Sequence, residues 1–126
     1  MNVTLWLAAL YNVAWGGLVV LFPLAPFAWA GMAAPRYPEI WQCVGMIVGV
    51  YGVGYAIAAF DPARHWAIIL VGFIGKVFGP IGFLIAFLRG DLPWVAGWTI
   101  LTNDLLWWWP FAVILWRIRQ VSLESN

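Results

Sequence analysis

The stretch ILTNDLLWWWPF, Ile100 to Phe111, sets Asn103, Asp104, three consecutive tryptophans and Pro110 inside a run otherwise apolar enough to cross a membrane. The run that contains them, Trp94 to Trp116, reads as a membrane span, and the rest of the sequence has the composition that goes with one. The 126 residues are 65% hydrophobic, 18% aromatic and only 9% charged, with a mean hydropathy of +0.92. Soluble domains carry about 25% charged residues. A hydrocarbon core of roughly 30 Å needs about 20 apolar residues at 1.5 Å each. Four runs reach that length: Val3 to Phe22, Ile40 to Phe60, Trp66 to Leu88 and Trp94 to Trp116. The expected fold is all-α, a single integral membrane bundle of four transmembrane helices.

Between the first two runs, Pro23, Pro26, Pro35 and Pro38 leave no room for a span, although FAWAGMAA within that link suits a short interfacial helix. The other links, DPARH and RGDLP, are tight hairpins. Asp61 is expected to cap the start of the third span. The N-terminal MNVTLWLAALYNVAWGGLVVLF lacks a basic leading segment and a small-residue cleavage site, so it reads as a first span and not as a signal peptide. Arg64, Arg117 and Arg119 lie on one side and Arg36 and Arg89 on the other. The positive-inside rule then places both termini in the cytoplasm.

Several function classes are excluded early. Six basic and five acidic residues are spread along the chain and form no basic patch for nucleic acid. One cysteine, Cys43, and one histidine, His65, cannot make an intramolecular disulfide, a CxxC pair or a Cys/His metal site. Cys43 is expected to be a small buried apolar residue. No cofactor is expected.

Glycines 45, 49 and 52 in the second span, and 72, 75, 79 and 82 in the third, recur at steps of three and four and so share helix faces. Lipid is as apolar as leucine, so membrane helices associate through close backbone approach, which such faces permit. The second and third spans are expected to pair through them, although either face could serve a homo-oligomer.

Counted from the cytoplasmic ends at 1.5 Å per residue, Lys76 lies about 15 Å deep, Asp104 about 18 Å and Asn12 about 13 Å. With Asn103 they form one polar layer near the bilayer centre. A lone Lys or Asp there costs roughly 2.5–3.5 kcal/mol on insertion scales, so Lys76 and Asp104 are expected to pair. Trp107 and Trp108, at i+3 and i+4 from Asp104, offer an aromatic wall and an indole donor. Pro80 leaves the Lys76 carbonyl without its helical donor and Pro110 does the same for Leu106, kinking both helices next to the layer. Three functions fit. The layer could bind or permeate a small apolar or amphipathic molecule or a proton, in an oligomer. It could lock the helices of an accessory subunit in a larger membrane complex. Less readily, Asp104 could act as the general acid of an intramembrane lipid or isoprenoid enzyme.

IWQCVGMIVGVYGVGYAIAAFDPARHW, GKVFGPIGF, LPWVAGWTILTNDLLWWWPF and the N-terminal YNVAWGGLVVLFP together resemble a family of small bacterial four-helix membrane proteins, over nearly the whole chain. Its members often carry the label alkyl hydroperoxide reductase. Peroxidatic chemistry under that name uses a low-pKa cysteine with a resolving thiol, or a CxxC with a histidine. A single Cys43 supplies neither, so the resemblance implies the fold and a bacterial inner-membrane location, and no activity.

Overall fold

The computed structural model describes residues 2–126, all of whose regular structure is helical. Helix α1, Asn2–Leu21, stops ahead of Pro23. The short α2, Ala25–Trp29, starts earlier than FAWAGMAA suggests, because Pro26 suits a first helical turn. It ends at Gly31, whose φ of +66° reverses the chain with bonds Met32 N–H to Phe27 O (2.9 Å) and Gly31 N–H to Ala28 O (3.2 Å). Helix α3, Pro38–Phe60, also opens on a proline. Helix α4, Trp66–Leu88, has the bounds read from the sequence and closes the same way at Gly90, φ +79°. Asp61 does not cap α4: its carboxylate accepts from the Arg64 N–H (3.1 Å), inside the turn.

Helices α1, α3 and α4 are each long and apolar enough to cross a membrane. The fourth apolar run is not one continuous α-helix. It begins as a 3₁₀ turn, Trp94–Ala96, passes through α5, Gly97–Ile100, widens into a π-helical turn, Leu101–Leu105, and resumes as α6, Leu106–Glu124. The expected span from 94 to 116 is thus divided at the polar residues that raised the question.

The broadest helix contact joins α1 to α3. A Cβ on Gly16 would run into the Gly45 carbonyl and the Gly49 backbone, and one on Gly52 would meet Ala9 O and Val13. The glycine face of α3 therefore meets α1, where the sequence pairs it with the third span; spacing defines a face but not the helix that uses it. Two polar bonds cross the same contact, Asn12 Nδ2 to Val48 O (3.2 Å) and Gln42 Nε2 to Val20 O (2.8 Å). The second satisfies a carbonyl in the last turn of α1, where the helix itself supplies no donor. The glycines of α4 divide in role. Gly72 seats the Tyr55 ring of α3 and Gly79 faces the Asp104 carboxylate, whereas a Cβ on Gly75 or Gly82 would have nothing within 4 Å. Cys43 is exposed on the outer surface of α3, contrary to the buried position expected of it, because α1 covers the other side of that helix.

The two ends of the molecule differ. Near the turn at 61–65, Leu5, Ala8, Ala58, Ile69, Phe111 and Ile114 form a closed core. Toward the opposite end the helices leave a cavity of about 850 Å³, bounded by the end of α1, α2, the start of α3, the second half of α4 and α5. Large apolar side chains cover the exterior, among them Leu10, Phe60, Leu88 and Trp109, as lipid contact requires.

Candidate functional site

The π turn sits between that core and that cavity, and it builds the site. A π turn is rare, occurs mostly as a single turn within an α-helix and is frequent at functional sites. Here two of its carbonyls also accept from side chains. The Trp107 indole donates to Thr102 O (3.0 Å) and the Lys76 ammonium donates to Asn103 O (2.7 Å). The Trp108 indole donates to Lys76 O (2.8 Å), the carbonyl that Pro80 deprives of its helical partner. The bonds of Lys76 and Trp108 thus run in opposite directions between α4 and the fourth segment, and the second supplies the donor that Pro80 removes. On the outer side, Tyr11 of α1 donates to Thr102 Oγ1 (2.9 Å), which in turn donates to Trp98 O (3.1 Å).

Lys76 is 5% exposed. Its ammonium lies 5.7 Å from the ring centroids of Tyr55 and Phe111 and 5.8 Å from that of Trp107. These rings present their negative faces to the charge at distances where cation–π attraction is significant. Tyr55 meets Phe111 edge to face at 5.2 Å and an 87° interplanar angle, so the cage is also core packing.

Asp104 is likewise 5% exposed and lies against Gly79 of α4. The pairing expected from depth is replaced by proximity without contact: no carboxylate oxygen comes within 4.0 Å of the ammonium among the described residues. The reason is local. The π turn brings the Asn103 carbonyl to Lys76 first, and three rings complete the cation's surroundings. The Asp104 carboxylate receives one long bond, from Asn103 Nδ2 to Oδ1 (3.4 Å). Asn103 Oδ1 is buried with no partner.

Lys76, Asn103, Asp104, Trp107 and Trp108 therefore meet in one place, next to Pro80 and Pro110. Asn12 does not join them through a bond of its own; it is spent on α3, with its Oδ1 buried and unpartnered. Tyr11, Thr102, Tyr55 and Phe111 belong to the site and were not singled out for it. No sequence signal marks them, since each acts through a neighbour on another helix.

Aromatic rings line the cavity above this layer, among them Trp15, Trp29, Trp41, Phe78, Phe83 and Trp98, and none of the described residues lining it is charged. Gly79 belongs to both places: it lines the cavity, and a side chain on it would collide with the Asp104 carboxylate. Among the described residues no group of three or more metal-ligating side chains occurs. Compared with protein-family models, curated proteins and solved structures, the chain gives no match.

Proposed function

We propose that the chain is a multipass protein of the bacterial inner membrane. Its fourth span is the divided segment from 94 to 116, and both termini lie in the cytoplasm. Its cavity holds a small apolar or amphipathic molecule above the polar layer of Lys76, Asn103 and Asp104. The observation that carries this reading is the adjacency of an aromatic cavity of about 850 Å³ to a buried carboxylate with spare acceptor capacity. A cavity of that size and apolar character suits a ligand of drug or lipid-fragment size, with a few polar groups fixing its orientation. In the bilayer a polar layer at mid-depth is costly, and function is the commonest reason for bearing that cost. Four short helices enclose little by themselves, so a homo-oligomer is the expected working form.

Occupancy is read by quenching of tryptophan fluorescence with a brominated long-chain alcohol in nanodiscs. Gly82 lines the cavity and has open space at its Cβ, whereas Gly75 has the same open space away from it. Gly82→Leu is expected to fill the cavity and abolish saturable quenching, and Gly75→Leu to leave it intact. Equal quenching in both variants and the parent would overturn the reading.

One observation favours the accessory-subunit reading as well. The reciprocal bonds between Lys76, Asn103 and Trp108 would lock helix register whether or not the cavity is used. Stable co-migration with other polypeptides in mild detergent, together with an empty cavity, would support it.

A further inference from the structure

We propose that the cavity takes neutral lipophiles that carry a carbonyl oxygen, such as a long-chain ketone, ester or quinone, with the Trp41 indole N–H as the group that holds that oxygen. This rests on the reading of the cavity as a binding site and names its ligand class. Three observations lead to it.

The first is an orphaned donor. Three buried side-chain atoms have no hydrogen-bond partner among the described residues: Asn12 Oδ1, Asn103 Oδ1 and Trp41 Nε1. The first two are acceptors on residues that do not line the cavity; Trp41 lines it, and its Nε1 is a donor. Native proteins pair the great majority of buried donors, because an N–H taken out of water without an acceptor loses hydration and gains nothing. Phe27 meets Trp41 edge to face, with ring centroids 5.4 Å apart and planes at 76°. That contact orients the indole, but a ring is a much weaker acceptor than an oxygen.

The second is the chemistry of the wall. None of the described lining residues is charged, so an ion entering would leave water without gaining a counter-charge. Lys76 and Asp104 lie outside the lining. The polar side chains of the wall are Trp15, Trp29, Trp41 and Trp98, whose indoles only donate, and Thr99, whose hydroxyl proton is committed to Ala96 O at 2.7 Å. A wall of donors selects an acceptor. A carbonyl oxygen accepts without bringing a proton that needs an acceptor of its own, as an alcohol or an acid does.

The third is position. Trp41 stands in the first turn of α3, whereas Gly79 and Gly82 line the cavity from the second half of α4. An oxygen held at Trp41 therefore lies toward the membrane surface, with its hydrocarbon between Phe78, Phe83 and the glycines, the orientation that an amphipathic lipid itself takes. Trp29, Phe78 and Trp98 line the cavity and are also exposed on the apolar exterior, so entry is from the bilayer. Nε1 is covered by its neighbours, and the oxygen reaches it with a rotation of the Trp41 or Phe27 ring, both of which lie on the cavity wall.

The test compares dihexyl ketone with tridecane, which match in length and differ in the carbonyl. Nanodiscs of ether-linked lipid are used, so that the bilayer brings no carbonyl of its own. Displacement of the brominated alcohol is read as recovered tryptophan fluorescence, with concentrations taken in the lipid phase. In the parent the ketone should displace it at a concentration about two- to tenfold lower than the hydrocarbon does, the worth of one net hydrogen bond. The ketone's carbonyl stretch, isolated as the infrared difference between ordinary and isotope-labelled ketone, should move to lower frequency than in empty nanodiscs. Trp41→Phe keeps a ring and removes the donor. The concentration ratio should then fall to about one and the band shift should vanish, while the unfolding midpoint without ketone stays the same or rises because an orphaned donor is gone. A lowered midpoint with ratio and shift as in the parent would make Trp41 a packing residue and overturn the proposal. So would equal displacement by ketone and hydrocarbon in the parent, or an unshifted carbonyl band. If Gly82→Leu still abolishes quenching by the alcohol in those cases, only the ligand class fails and the apolar binding site stands. Repeating the titration in ester-linked lipid separates two sources of the carbonyl: unchanged ketone binding points to a free lipophile, and weakened ketone binding to the acyl ester of a bilayer lipid. Should Trp41→Phe not fold, the parent's ratio and band shift decide.

Discussion

At the scale of single residues, the polar layer is held by bonds that cross between helices in both directions. Trp108 serves Lys76 O, and Lys76 serves Asn103 O. Trp108→Phe keeps the ring and removes the donor, leaving a buried carbonyl open; the expected cost is about 1–2 kcal/mol, read as a lowered unfolding midpoint in mixed micelles. A midpoint unchanged in Trp108→Phe would mean that another donor takes its place. Lys76 and Asp104 were legible in the sequence because an ionisable residue in mid-membrane has few innocent explanations, and depth counting put them in one layer. Their failure to touch was not legible. The π turn that carries Asn103 O to the ammonium leaves no mark in composition or spacing, and the cage needs Tyr55 from a helix whose orientation only packing decides. Tyr11 and Gln42 illustrate the same limit, each bonding to a residue or carbonyl on another segment.

At the scale of elements, glycine spacing identifies smooth faces and leaves their partners open. The face of α3 is used by α1, through Gly16 on the other side of the contact. Gly16→Ala would press a methyl group into the backbone of Gly45 and Gly49, which cannot rotate aside as a side chain could. It should cost about 1–3 kcal/mol, as overpacking does. Gly75→Ala meets nothing within 4 Å and should be neutral or stabilise the helix by up to about 1 kcal/mol through its better propensity. Denaturant titration of helicity in mixed micelles separates the two; equal effects would contradict the assignment of α1 as the partner of α3. Three of the four apolar runs emerge as helices close to their expected bounds. The fourth departs because its apolar character continues through residues whose backbone does not remain α-helical.

At the scale of the whole molecule, a closed core at one end and an aromatic cavity at the other are separated by the layer of Lys76, Asn103 and Asp104. Four spans require the termini to share a side and the link at Arg36 to lie opposite. In a Cys43→Ser background, Ser125→Cys should react with an impermeant maleimide only after the inner membrane is opened, and Arg36→Cys should react before. Labelling of both from the same side would leave three spans. The most direct test of the cavity as a binding site above that layer is an experimental density map of the protein extracted with its native lipids. The expected result is continuous non-protein density running from beside Trp98 to contact with Gly79. A cavity closed by Phe78, Phe83 and Trp98 packed against one another, with no density between them, would contradict it.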